Sequence, residues 1–192
     1  MGKSHDLATI AADGLEVDTI KNTGGTTGLT INSAGITVMP NRPAFACHLE
    51  STVALATANG WSGTNGSNSL SSGTWDWNIT HGGYNVGGHW SDSTNRFTAP
   101  VAGLYSFTFS MVMAAAGANC SFRLQHSTGV SRYAGTNFDS ASNNVTASSV
   151  TAQFLMAVNE YVDLQVGYAR SNSVEGDSGG FGRTWWSGYL IG

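Results

Sequence analysis

The residues with which this chain could do chemistry are few and scattered. Among its 192 residues are five histidines (His5, His48, His81, His89, His126) and two cysteines (Cys47, Cys120). Neither type falls into the close paired spacing of a tetrahedral zinc site or a zinc protease, so the histidines read as polar loop or strand residues. The two thiols could pair on parity alone, but they read first as small buried hydrophobes. A glycoside hydrolase needs two carboxyl groups facing each other across a sugar bond. There are 12 carboxylates, and nothing marks Asp76 with Asp92, or any other pair, for that work. Gly82-Gly83 and Gly87-Gly88 lack the strand-to-helix setting in which a glycine loop cradles phosphate. No nucleophile elbow or catalytic triad is visible. The expectation is a protein that is not an enzyme and carries no cofactor.

Binding is the better use for the polar residues. The segment Arg170–Arg183 is long, Gly-rich and polar, and carries Glu175 and Asp177. Carboxylates in such a loop are weak candidates for oxygen ligands to Ca2+, against the plainer reading of a solvated turn. Asn137, Asp139, Asn143 and Asn144 fall in a second polar loop, Asn137–Thr146, and Ala114–Asn119 forms a third. Loops held by a rigid scaffold commonly carry ligand contacts. Trp61, Trp75, Trp77 and Tyr84 would stack on sugar rings if exposed. Burial in the core is the preferred reading for them.

Composition removes several partner classes. Lys and Arg total 8 and the formal net charge is −4, so no basic stripe exists to neutralise phosphates, and nucleic acid is not an expected partner. No apolar run approaches the roughly 18 residues of a membrane span. The N-terminus lacks the apolar stretch of a secretory signal. Charged residues are only 10% of the chain, against a usual quarter or so. A surface of hydroxyl and amide groups can pack against copies of itself without desolvating many ions.

The elements that must position these residues are strands. Three short units of Gly, apolar, polar, apolar recur near the start: Gly14-Leu15-Glu16-Val17, Gly28-Leu29-Thr30-Ile31 and Gly35-Ile36-Thr37-Val38. Each reads as a turn followed by a strand with one apolar face. So small a segment cannot bury that face alone, which points to a short intertwined β stalk or anchor over residues 1–39. Pro40 and Pro43 mark the boundary, because each expels its predecessor from the helical region. Residues 40–192 then read as one all-β domain. Tyr105, Phe107, Phe109, Met111 and Met113 alternate with Ser106, Thr108 and Ser110 and form a core wall. Cys120–Gln125, Val150–Met156 and Val162–Tyr168 alternate likewise, with Gly- and Asn-rich turns between them. The last strand, Trp185–Ile191, is apolar on both faces. One face meets the sandwich core, and the other needs a second cover, for which a neighbouring chain is a candidate.

The aromatic and glycine spacing resembles the globular head of complement C1q, in the C1q/TNF-like superfamily. Asn85, Trp90, Phe97 and Gly103-Leu104-Tyr105-Ser106-Phe107-Thr108-Phe109 follow the family's ladder, with Ile79 standing where it has phenylalanine. Arg42-Pro43-Ala44-Phe45 is similar to the family's opening strand, and Trp186-Ser187-Gly188-Tyr189-Leu190-Ile191 to its closing one. The resemblance implies a ten-strand jelly-roll β-sandwich that assembles as a trimer, here a homotrimer. In that role Tyr105, Phe107, Phe109, Trp186 and Tyr189 serve the core and the subunit contacts.

Residues 17–33 resemble segments of structural proteins of tailed bacteriophages. This second likeness implies a virion protein, assembled in the host cytoplasm and exposed on the particle. It would be a short fibre, head fibre or capsid decoration. Residues 1–39 would dock on other virion proteins, and the head would face outward, available to a host-surface glycan or protein. The alternatives are a secreted C1q/TNF-like recognition ligand and a purely structural cap with no host ligand.

Overall fold

A computed structural model describes residues 19–21, 23–25, 27–55, 61–63, 76–79, 82–113, 119–137, 146–167, 172–176 and 183–192. The chain divides into two compact units, Met1–Arg42 and Pro43–Gly192.

In the first unit, β1 (Thr19–Lys21), β2 (Thr27–Ile31) and β3 (Thr37–Val38) form an antiparallel sheet in that order. The β2–β3 turn is fixed locally. The Asn32 side-chain oxygen accepts the amides of Ala34 (3.0 Å) and Ile36 (2.9 Å), and Gly35 takes the left-handed backbone with φ of 77°. Two of the three repeated units thus become β2 and β3, while that at Gly14 lies outside the described residues. Ile20 pairs with Leu29, and Ile31 shares Leu29's face by the two-residue period. Ile20 and Ile31 are 55% and 39% exposed, so this unit leaves its apolar stripe uncovered.

The second unit opens with β4 (Ala44–Leu49), β5 (Val53–Leu55), β6 (Trp61–Gly63), β7 (Trp77–Asn78), β8 (Tyr84–Val86), β9 (Trp90–Ser91) and β10 (Arg96–Thr98). It continues with β11 (Gly103–Met113), β12 (Asn119–His126), β13 (Ser131–Asn137), β14 (Thr146–Met156), β15 (Tyr161–Gly167), β16 (Asn172–Val174) and β17 (Trp185–Leu190). One sheet runs β5-β16-β11-β17-β4-β7, with β14 on β11 and β8 on β4. The other runs β13-β12-β15-β10-β9, with β6 also on β15. Every pairing given is antiparallel, and no helix occurs among the described residues. The fold is the expected all-β jelly-roll sandwich. Several strands are only two or three residues long, and these fragments carry the number past the expected ten.

The core is aromatic. Tyr105, Phe107, Phe109, Met111 and Met113 of β11 are buried, facing Phe122 and Leu124 of β12 and Val162, Leu164 and Val166 of β15. Phe109 meets Phe122 edge-on, with centroids 4.8 Å apart, which locks one sheet to the other. Phe45 sits at the hub, 5.3 Å from Phe97 and 5.0 Å from Trp186. Each such side chain contributes roughly 1.5–3 kcal/mol through burial alone. The Tyr105 hydroxyl escapes the desolvation penalty by donating to the Val101 carbonyl at 2.8 Å.

Candidate functional site

The outer face of the first sheet carries the surplus apolar surface. Registers set Leu104, Ser106, Thr108 and Ser110 of β11 beside Leu155, Gln153, Thr151 and Ser149 of β14, and Ser106, Thr108 and Ser110 beside Tyr189, Ser187 and Trp185 of β17. A polar strip of small hydroxyls runs down the middle, tied by Thr108 and Thr151 at 3.0 Å. Large side chains flank it: Leu155 is 79% exposed, Tyr189 48%, Tyr84 45% and Trp185 38%. The two faces of β17 thus separate as the alternation requires, with Trp186 fully buried and Tyr189 outward.

The outer face of the second sheet is polar. Arg96 of β10 reaches Asp163 of β15, its Nε and Nη2 each 3.4 Å from Oδ2. The Arg96 guanidinium lies over the Tyr161 ring, 4.2 Å from its centroid. Gln165 donates to Asp163 Oδ1 at 3.4 Å, and its own carbonyl oxygen accepts Nε and Nη2 of Arg123 at 2.9 and 2.6 Å. On the next row Ser131 donates to Gln125 at 2.6 Å. The long side chains roof over Asp163 and bury it. Burial pushes its carboxyl pKa up, and the nearby Arg96 charge opposes that shift without cancelling it.

Hollows open on the sandwich among the described residues. One, of about 260 Å3, is lined by Asp76, Trp77, Asn78, Ile79, Asn85, Trp90 and Asp92. It brings together the two carboxylates that the sequence left unmarked. No group of three or more His, Cys, Asp or Glu side chains assembles among the described residues, there or elsewhere. Its wall is pinned by Asn85, whose side chain donates to the Trp90 carbonyl at 2.8 Å and accepts the Trp90 amide at 3.1 Å. Gly87 and Gly88 make that reversal possible, with φ of 80° and 73°. Another hollow, of about 270 Å3, lies over His126, Thr128, Phe154, Leu155 and Glu160. His126 is buried and stacks on Phe154, and its Nδ1 accepts the Thr128 amide at 3.3 Å. Its Nδ1 also lies 2.7 Å from the Thr128 hydroxyl, and its Nε2 lies 3.3 Å from Glu160 Oε2.

The loop candidates fare unevenly. Glu175 is paired with Arg183, which donates to its carboxylate, and the Glu175 amide donates to the Val112 carbonyl at 2.8 Å. A Ca2+ ion at Glu175 would have to displace that arginine. Asn137 ends β13 opposite Asn119. Asp139, Asn143, Asn144 and Asp177 lie outside the described residues. Trp77 is buried, whereas Tyr84, grouped with it for burial, is exposed. His48 and His126 are both buried strand residues; His126 shares the core face of Phe122 and Leu124, whereas His48 pairs with Trp185 on the outer face of the first sheet. Contrary to the expectation of no elbow motif, Gly176-Asp177-Ser178-Gly179-Gly180 has the Gly-x-Ser-x-Gly spelling of one. An elbow needs a strand-to-helix turn; the string begins just after β16, and its residues 177–180 lie outside the described residues.

Fold and surfaces together define a two-sheet antiparallel jelly roll with its distinctive chemistry on exterior sheet faces and loops. The C1q domain family matches residues 78–191, and the chain belongs to that family. The matched span begins within β7; β4 precedes it but pairs with β17 in the same sandwich. Among solved structures, the globular domain of zebrafish complement 1qA protein is similar. It is 15% identical, the match covers 79% of this chain and 98% of that one, and the TM-score is 0.48. No curated protein matches.

Proposed function

We propose that this chain is a non-enzymatic, homotrimeric structural protein of a tailed-phage particle. Residues 1–39 dock on other virion proteins, and the C1q-type head faces outward for host-surface binding. The observation that carries the trimer is the uncovered face formed by Tyr84, Leu155, Trp185 and Tyr189, on a sheet whose opposite face is fully committed to the core. Large exposed apolar patches of this kind mark association surfaces. Membership of the C1q domain family supports the same reading, because such domains typically form trimers.

The first unit supports an anchoring role. Its three strands leave Ile20 and Ile31 exposed, and a sheet this small gains stability only by covering them, against sister chains or a docking surface. The likeness of residues 17–33 to tailed-phage structural proteins supplies the particle. The experiment is incorporation. Particles complemented with the full chain should carry the protein, and those given residues 40–192 alone should not. Incorporation of the truncated head at full level would end the anchor reading. A cell-adsorption assay with purified trimer tests host binding separately. Absence of binding and of competition with particles would leave a structural cap.

A further inference from the structure

We infer that the hollow over His126 and Glu160 is a socket for Tyr189 of a second copy of this chain. Each head then gives one tyrosine and receives one around a closed ring of three. The inference deepens the reading of the head as a homotrimer and rests on it.

The hollow spans the seam between the two sheets. Gln153, Phe154 and Leu155 come from β14 of the first sheet, and His126 and Val130 from the β12–β13 hairpin of the second. Phe154 and His126, both buried and stacked on each other, form its base. Val130 and Leu155, both exposed, line it as well. Its volume of about 270 Å3 exceeds the roughly 150 Å3 that suffices for a benzene ring. One acceptor stands among these apolar walls. The Glu160 side chain is partly open, its Oε2 accepting the Ala157 amide at 2.6 Å and lying 3.3 Å from His126 Nε2. A carboxylate accepts at about four lone-pair positions, so it has capacity for a further hydroxyl. Apolar walls with one such acceptor suit a phenol, which has an apolar ring and a polar tip.

The chain carries the matching knob. Tyr189 and Tyr84 both stand exposed on the outer face of the first sheet. Tyr189 pairs with Ser106 and Ser106 with Gln153, so Tyr189 lies in the row of the socket itself, two strands in from it. Tyr84 falls in the row of Ala46, Ser187, Thr108 and Thr151, two residues or about 7 Å along the strands. Rotation about an axis running along the strands keeps every residue at its own height. It therefore brings Tyr189, and not Tyr84, to the socket of the next copy. Knob and socket are different patches, so the contact is heterologous and is completed only by closing a ring. Leu155 belongs both to the socket and to the exposed apolar face, which makes the two surfaces continuous.

The test uses the full chain with a photoreactive side chain, Tyr189→benzoylphenylalanine in one sample and Tyr84→benzoylphenylalanine in another. Each sample is sedimented, irradiated and digested for peptide mass spectrometry. Position 189 should give a species of twice the chain mass, joined to residues 126–130 or 153–160 of the other copy, and position 84 should not join to those residues. Val130→Trp fills the socket from its own chain. It should raise the dissociation constant of the trimer about tenfold or more, with the β spectrum of the head unchanged. A sedimenting trimer in which position 189 joins elsewhere or not at all, or in which Val130→Trp dissociates no more readily than the native chain, would overturn the socket and leave the trimer standing. A native chain that sediments as a monomer would end the trimer reading and the socket with it.

Discussion

Gly188 and Phe107 lie opposite each other across the β17–β11 ladder, and the Phe107 ring occupies the space that any side chain at position 188 would need. A Cβ there would also stand 2.8 Å from the Phe45 ring. The glycine is a packing requirement set by two core aromatics. Gly188→Ala should therefore destabilise the head by about 1–3 kcal/mol through overpacking. Urea unfolding followed by tryptophan fluorescence measures it, and a change below about 0.5 kcal/mol would show that the rings shift freely.

Asp163 makes a pH-dependent prediction whose sign follows from its raised pKa. The folded state holds the Asp163 proton more tightly than the unfolded state does. The group's stabilising contribution is therefore complete in acid, below the ordinary carboxylate value of about 3.9, and is lost as pH rises through the raised value. The Asp163→Asn variant has no proton to lose at this position. Its melting temperature should exceed the native one most at neutral pH, with the gap closing toward pH ~4. Calorimetry across that range decides it. A variant least stable at neutral pH would mean that the Arg96 attraction outweighs burial.

Cys47 is a free, buried thiol whose Sγ faces the Trp186 carbonyl at 3.5 Å, and burial pushes its pKa well up. A thiol that is neither exposed nor ionised does not alkylate. Iodoacetamide at pH 8 should leave the Cys47 peptide unmodified in the native protein and label it fully in denaturant, as read by peptide mass spectrometry.

Asn85→Ala removes both bonds to the Trp90 main chain. The cost should be about 1–2 kcal/mol, since the turn amide and carbonyl are part-buried. Asn85→Asp, which keeps the acceptor alone, should fall between. Urea unfolding of the two variants beside the native protein measures both.

Much of this architecture was legible because one side-chain period runs unbroken through long strands. Tyr105 to Met113 alternates large and small without a lapse, and each large residue is buried. The period fails as a guide where strands are too short to show it, as in Trp77–Asn78, Tyr84–Val86 and Trp90–Ser91. It fails again at Ser131–Asn137, which holds no apolar alternation and is a strand because β12 pairs with it. The Asp163 network was invisible for another reason. Asp163 occupies a solvent-side position by its period, and long side chains around it, among them Arg96, 67 positions away in the chain, turn that position into a buried one. The neighbour of His126 was hidden too, since Glu160 lies in the turn just before β15. The loop candidates Glu175 and Asp177 drew notice for oxygen content, but the sequence does not tell that Arg183 folds back onto the first.

The central claim is that the face bearing Tyr84, Leu155, Trp185 and Tyr189 is covered by sister subunits. Sedimentation equilibrium of the full chain and of a Leu155→Asp, Tyr189→Asp double variant tests it most directly. The native protein should sediment at three times the 20.0 kDa chain mass at micromolar concentration, and the variant as a folded single chain. A native protein that sediments as a stable monomer, with its β spectrum intact, would contradict the account.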